Sequence, residues 1–281
     1  MLDPPLTTAV LLAAGRGTRM RRPLSPELAR HLTEPQREAA EAGLKALIPI
    51  HGIPFIAYAL SALADAGFRT VVVVTRPAPD PVRTALEAIP TTRLTLRFAT
   101  QPEPRGTAHA LAHAEPEVEP EVEAARSFLV VNGDNLYPTD VLAHMRQGSG
   151  HALAGFRASD LSTLGNLTPD RISAFALLSV DAQGALAGIV EKPDPRAREA
   201  FGPDPLVSMT CWRFQPSVFA VARGLAPSPR GEFELPDAAL ALRAQGEPVQ
   251  VVPVRGGVLD LTDPADISSV SARLANAEVR L

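Results

Sequence analysis

Short runs of uninterrupted apolar residues alternate with longer segments rich in Ala and Leu, and this alternation organises the first half of the chain. TAVLLAA (8–14), TVVVVT (70–75), LTLRFAT (94–100) and SFLVVNG (127–133) read as strands. Their near-continuous apolar character is what a strand shows when both faces of its sheet are covered. Between them, PFIAYALSALADAG predicts a helix with Pro54 in its first turn and Gly67 past its end, and DPVRTALEAI one with Asp80 at the N-cap and Pro81 behind it. Strand followed by helix followed by strand predicts a mostly parallel sheet.

The second half is less regular. Strands around HALAGF, ISAFALLSV, LAGIVEK, SMTCWRF and VQVVPV are interrupted by helices around 217–225 and 235–245, which predicts a mixed extension of the sheet and a second lobe. TDPADISSVSARLANAEV predicts a last helix with Asp263 as N-cap, Pro264 at its first position and Asp266 in its first turn. The stretch 21–44 breaks the alternation with clustered charges and no apolar stripe wide enough for a core helix. LTEPQREAAEAG within it suits a short exposed helix, and the stretch reads equally as a mobile flap or as a solvated connection.

Composition narrows the function classes. With 281 residues and 46% apolar side chains the chain can build a sizeable core, as one α/β domain or two lobes sharing a sheet. Its 27 basic and 31 acidic side chains leave a net charge of -4, so there is no basic excess to neutralise a nucleic-acid backbone. One cysteine, Cys211, without a CxxC or Cys/His cluster, argues against disulfides and structural zinc and for a reducing, cytoplasmic setting. The apolar start lacks a basic flank and is cut short at Gly15-Arg16, and no stretch reaches the roughly 18 apolar residues of a membrane span. Neither a signal peptide nor a membrane partner is expected.

Candidate chemistry collects just after strands, where open α/β sheets bind ligands. The first strand runs into AAGRGTRM, whose Gly15 and Gly17 let backbone N–H groups approach a phosphate, while Arg19 suits a polyphosphate directly. The loop is not a GxGxxG fingerprint and has no Gly-Lys-Ser/Thr, which weighs against a dinucleotide oxidoreductase and a P-loop. Lys45 precedes the apolar run ALIPIHGIPFI. Gln101 follows a strand and carries both an amide donor and an acceptor able to pair with the edge of uracil or thymine, and Gly106-Thr107 opens a helix beyond it. Asp134, Glu191 with Lys192, and Asp260 complete the set of charged strand-end residues.

The order of these motifs resembles that of the sugar-1-phosphate nucleotidylyltransferases, of the glucose-1-phosphate uridylyl- and thymidylyltransferase type. LAAGRGTRM, Lys45 with LIPIHGIPF, Gln101 with GTAHAL, VVNGDN, EKP, RGEFELPDA and VLDLTDPADI carry the resemblance over nearly the whole chain. It implies a three-layer α/β/α Rossmann-like fold with a mixed, mostly parallel sheet. It implies one nucleotidyltransferase domain over 1–281, with an NTP-binding half (1–150), a sugar-phosphate half (151–281) and no C-terminal β-helix. Leu12, Ala14, Gly15, Gly17, Thr18, Gln101, Gly106 and Thr107 would line the nucleotide, with Arg19 and Lys45 on its phosphates. Glu191, Lys192 and Ser208 would take the sugar phosphate, and Asp134 and Asp260 would bind Mg²⁺.

The implied substrates are an NTP and a sugar 1-phosphate, in an enzyme compatible with homo-oligomers. Gln101 stands where GTP-using relatives often have an acidic residue, which favours UTP or dTTP. Three departures leave the sugar open: a long interval from Met20 to Lys45, Phe175-Ala176 in place of an aromatic residue followed by Gly, and Ser208 in place of Asn. A nucleotide-sugar-binding regulator of the same fold, or the same reaction with GTP and mannose 1-phosphate, are the alternatives. The regulator would be expected to lose charged groups, and Arg19, Lys45, Asp134, Lys192 and Asp260 are all present.

Overall fold

The computed structural model describes residues 5–118 and 127–281. Its strands are β1 (Thr8–Leu12), β2 (Pro49–Ile50), β3 (Ile53–Pro54), β4 (Thr70–Thr75), β5 (Thr95–Thr100), β6 (Phe128–Asn132), β7 (Asn135–Leu136), β8 (His151–Arg157), β9 (Leu177–Val180), β10 (Leu186–Val190), β11 (Leu206–Phe214), β12 (Val249–Val254) and β13 (Leu259–Asp260). The helices are α1 (Pro26–His31), α2 (Glu34–Glu41), α3 (Phe55–Asp65), α4 (Pro81–Ala88), α5 (Thr107–Val118), α6 (Thr139–Met145), α7 (Ala158–Thr163), α8 (Pro169–Ile172), α9 (Pro195–Glu199), α10 (Ser217–Gly224), α11 (Leu235–Ala244) and α12 (Asp266–Arg273).

Nine strands form one mixed sheet in the order β10-β9-β11-β6-β1-β4-β5, with β8 on β11 and β12 on β8. It is parallel through β6, β1, β4 and β5 and again between β8 and β12, and antiparallel where β11 joins β6, β8 and β9. Strands from both halves of the chain therefore share one sheet. Successive side chains of a strand point to opposite faces, and here both faces are dry. Val71 and Val73 of β4 pack with Leu129, Val131, Leu60 and Phe68 on one face. Val72 and Val74 pack with Val130, Phe128, Leu111 and Trp212 on the other. This double burial explains the unbroken apolar runs.

The stretch 21–44 is neither a flap nor a bare connection. Ser25 caps α1 through Leu28 N, and Thr33 and Gln36 form a reciprocal capping box at the start of α2. Gln36 Nε2 also donates to Pro49 O at 2.9 Å. Leu32 and Ala40 join Met20, Ile48, Ile50, Phe55, Leu261, Ile267 and Val270 in a third apolar cluster. Each short helix contributes only one or two anchors, which is why no stripe was visible.

Three boundaries differ most from expectation. Pro54 is the N-cap of α3 and the end of β3 instead of standing in the helix's first turn. The ISAF part of the predicted strand holds the end of α8, and β9 begins at Leu177. The last helix starts at Asp266 with Ala265 as its cap, because the Asp266 carboxylate is used backwards, accepting from Thr262 N and Asp263 N at 2.9 and 2.7 Å. Among the described residues no helix is long and apolar enough to cross a membrane.

Candidate active site

From β1 the chain passes to β4 on one side, and β6 returns to pair β1 on the other. Loops leaving β1 and β6 thus diverge and open a crevice, the usual binding position of an open α/β sheet. A cavity of about 640 Å³ lies there, lined by 12–19 after β1, by Gly43–Ala46, by Asn132, Gly133 and Asp134 after β6, and by Gln101, Gly106 and Thr107 after β5. Leu12, Ala14, Gly15, Gly17, Thr18, Arg19, Lys45, Gln101, Gly106, Thr107 and Asp134 all meet on it.

The loop after β1 is shaped by Gly17. Its φ is 65° and a Cβ there would stand 2.1 Å from Gly43 O, so only glycine lets the loop lie against the turn that precedes Lys45. Met20, fully buried, anchors the loop's far end. Arg16 and Arg19, on either side of Gly17, are exposed and their side chains are unpaired among the described residues. Lys45 opens a short 3₁₀ turn and its Nζ donates to Asp134 Oδ2. Each side chain is about one-fifth exposed, 19% and 20%, so the pair forms part of the cavity wall and not of the core.

Asp134 and Asp260 are backbone neighbours. Leu261 N donates to Asp134 O at 2.9 Å, and Asp260 faces Asn135 across the β7–β13 ribbon. Their carboxylates differ. Asp260 is 4% exposed and does not line the cavity. Its Oδ2 accepts from Asn135 Nδ2 at 3.0 Å and its Oδ1 from Arg171 Nη2 at 2.5 Å, while Arg171 also pairs with Asp266. Asn166 clamps the Asp260 backbone in both directions, at 2.8 and 2.9 Å. Burial raises the Asp266 carboxyl above the usual carboxylate range.

Mg²⁺ takes oxygen ligands, keeps waters and bridges substrate phosphates. Asp134 fits that role on the cavity wall. Of the expected carboxylate pair only Asp134 stands on the cavity; the Asp260 carboxylate, held by Arg171 and Asn135, does not line it.

On the base side, Gln101 is 4% exposed and its Nε2 donates to Gly106 O at 3.1 Å. Gly106 has φ 111°, and a Cβ would stand 2.3 Å from Phe233 O. The RGEFELPDA segment is stitched to this loop: Ala108 N donates to Phe233 O (2.9 Å), Phe233 N to Arg105 O (2.8 Å) and Leu235 N to Thr107 Oγ1 (3.0 Å). The Arg105 guanidinium lies 4.7 Å over the Phe233 ring.

The sugar-side residues are arranged otherwise. Glu191 and Lys192 follow β10 at the sheet edge, exposed and outside the cavity, with Lys192 at φ 45°. Glu191 lies 3.7 Å from Arg230, which also pairs with Glu234. Ser208 is buried on β11, its N donating to Ala176 O at 3.0 Å. That strand bulges after Ser208, with Thr210 at φ 56°, and the Tyr137 hydroxyl holds the bulge by donating to Met209 O at 2.7 Å. Sequence reasoning missed Arg16, Arg76, Asn132 and Glu232 on the cavity and Arg171 on Asp260; Arg16, Asn132 and Glu232 stand inside AAGRGTRM, VVNGDN and RGEFELPDA, where the motif itself was the signal, whereas Arg76 and Arg171 stand in no motif.

The chain belongs to the nucleotidyl transferase family, whose model matches residues 8–276. Among curated proteins it is similar to a UTP–glucose-1-phosphate uridylyltransferase of Haloferax volcanii, 26% identical over 95% of this chain and 96% of that one. A glucose-1-phosphate thymidylyltransferase of Mycobacterium tuberculosis is 25% identical over 97% of this chain and 85% of its own length. Other relatives are longer, the chain spanning 63% and 50% of two of them. Among solved structures, a UDP-glucose pyrophosphorylase complexed with UDP-glucose matches with a TM-score of 0.71 at 17% identity, over 97% of this chain and all of that one. That likeness confirms the mixed α/β fold.

Proposed function

We propose that this nucleotidyltransferase joins the nucleoside monophosphate part of UTP or dTTP to a sugar 1-phosphate, glucose 1-phosphate first, and releases pyrophosphate with Mg²⁺. The relatives' activities support the substrate class. The observation that carries the reading is the pairing of Lys45 with Asp134 on a cavity wall that also presents Arg16 and Arg19, unpaired among the described residues.

The chemistry is in-line attack of a sugar-phosphate oxygen on the α-phosphorus, with pyrophosphate leaving. Both reactants are anions, and two unit charges 4 Å apart repel by about 4 kcal/mol at an effective dielectric of 20. Arg16, Arg19 and Lys45 offset that repulsion, and the glycine loop supplies backbone N–H groups. A phosphate nucleophile is already ionised at neutral pH, so positioning and charge stabilisation suffice without a general base. Mg²⁺ would be held by Asp134, with Asp260 as a second ligand were its carboxylate to turn to the cavity, and would neutralise phosphate charge further. Glu191, Lys192 and Ser208 are our candidates for the sugar phosphate, which must reach beyond the nucleotide cavity to meet them. We infer a cytoplasmic enzyme with neither nucleic acid nor membrane as partner.

The test is pyrophosphate release from a matrix of five NTPs and several sugar 1-phosphates with Mg²⁺. One strong pair containing UTP or dTTP is expected. Binding of a nucleotide sugar with no turnover of any pair would overturn catalysis in favour of the regulator.

A further inference from the structure

Gln101 has two amide hydrogens and one carbonyl oxygen to offer. Gly106 O can only accept, so the amide nitrogen must be the atom 3.1 Å from it. The same nitrogen lies 3.0 Å from His109 Nδ1. Nδ1 receives that second hydrogen only when unprotonated, which puts the proton of neutral His109 on Nε2. That Nε2 stands 3.4 Å from Nε2 of His113, one helical turn along α5, with the rings edge to face at 4.6 Å. The hydrogen bonds therefore run one way, from Gln101 to His109 to His113. Both amide hydrogens of Gln101 are consumed. Its carbonyl oxygen has no partner among the described residues, and Gln101 lines the nucleotide cavity.

We propose that His109 is the positioning residue that sets base specificity: by accepting the second amide hydrogen of Gln101 it leaves that side chain a pure acceptor toward the ligand. This rests on the reading of Gln101 as the base contact. A pure acceptor held opposite the ring N–H of uracil and thymine disfavours cytosine and adenine, whose corresponding ring nitrogens are themselves acceptors and whose amino donors reach it only if the base shifts. Guanine also shows a ring N–H, so the device does not separate it from uracil.

The device is also sensitive to acid. Burial lowers the affinity of His109 for a proton; His113 on the same helix and Arg105 on the preceding loop act in the same direction, and Glu103 opposes them. The Phe233 ring, 6.2 Å away, adds no charge. His109 is therefore neutral at pH 7. When it takes a proton at lower pH, Nδ1 becomes a donor and cannot hold the Gln101 amide.

The experiment compares kcat/KM for UTP, dTTP, CTP and ATP in the wild type, His109→Leu, His109→Asn and Gln101→Ala. Losing one hydrogen bond of about 1 kcal/mol predicts a roughly 5- to 10-fold fall in the UTP-to-CTP ratio for His109→Leu. His109→Asn places an acceptor oxygen near the site of Nδ1 and should restore the ratio. The wild-type ratio should fall as pH drops below the ordinary histidine value of 6.5, and the Asn variant should not follow it. If His109→Leu keeps the wild-type ratio while Gln101→Ala loses it, the role of His109 is overturned and base reading by Gln101 stands. If both keep it, Gln101 is not the base contact. Should His109→Leu fail to fold, the Asn variant and the wild-type pH profile decide the matter by the same criteria.

Discussion

The sides proposed for the nucleotide and for the sugar phosphate are built from the same sheet but assemble their charges differently. On the nucleotide side, parallel strands β1, β5 and β6 all end at one rim, so residues from loops far apart in sequence converge on one cavity. On the sugar side, the antiparallel strands β9, β10 and β11 run in opposing directions, and Glu191, Lys192 and Ser208 are left on the edge or inside the sheet. Parallel order concentrates strand ends; antiparallel order distributes them. The residues proposed for the nucleotide thus share one cavity in the free chain, whereas those proposed for the sugar phosphate do not line it.

The most severe way to break this comparison is Asp134→Ala. Removing one preorganised electrostatic group from a reacting centre costs about 10²- to 10³-fold in kcat. The melting temperature should change little, because Asp134 is partly exposed and packs against no core cluster. Pyrophosphate release and a thermal melt read the two effects, and near-normal turnover would remove Asp134 from the centre.

Asp260→Ala should fail in the opposite manner. It removes one partner of a largely buried ion pair, for which losses of about 3 kcal/mol in stability are typical. Arg171 keeps Asp266, which limits the damage. If instead Asp260→Ala abolishes turnover at an unchanged melting temperature, the carboxylate works on the cavity and the Arg171 clamp opens during catalysis.

Gln101→Glu comes next. A carboxylate oxygen would face Gly106 O in place of a donated amide hydrogen, so the side chain loses the bonds that aim its acceptor oxygen at the ring N–H of UTP and dTTP. A fall of about 10-fold in kcat/KM for both nucleotides is expected, by loss of roughly one hydrogen bond. An unchanged nucleotide profile would sink base reading by this residue. Lys192→Ala should raise KM for the sugar 1-phosphate by about 3- to 5-fold, since an exposed charge pair contributes no more than about 1 kcal/mol. No change would place the sugar phosphate elsewhere.

The same contrast governs what could be read in advance. The β4 run and the Asp80 cap of α4 were legible because each is a local pattern with a local cause: double burial, and side-chain acceptance from Val82 N and Arg83 N. Gln101 and Asp134 were legible as cavity residues because each follows a parallel strand and such ends lie together, whereas Lys45, on a 3₁₀ turn, and Gly106, before α5, were named through the resemblance. The environment of Asp260 was not. Its carboxylate is turned by Arg171, a residue 89 positions away in a four-residue helix with no motif. The packing of 21–44 was hidden because its anchors are divided between two short helices.

The smallest effect separates two histidines whose proton affinities are both lowered, first of all by burial. His109 sits beside the cavity, so its titration should be read in base selectivity. His151, 2% exposed at the start of β8, lies between Gln215 N, which donates to Nδ1 at 3.3 Å, and Glu247, whose Oε2 is 2.9 Å from Nε2. Only the neutral ring serves both. Above the unfolded value of 6.5 both states of the chain leave this group neutral, and its stabilising arrangement is fully present. Below it the unfolded chain binds a proton that the native state refuses, so stability falls as pH drops through that value toward the folded one. Melting curves across this interval should decline in the wild type and decline less in His151→Gln, while nucleotide selectivity near neutral pH stays put in that variant. A parallel decline in both proteins would mean that the acid sensitivity of the fold lies in other groups, and that β8 keeps His151 for packing alone.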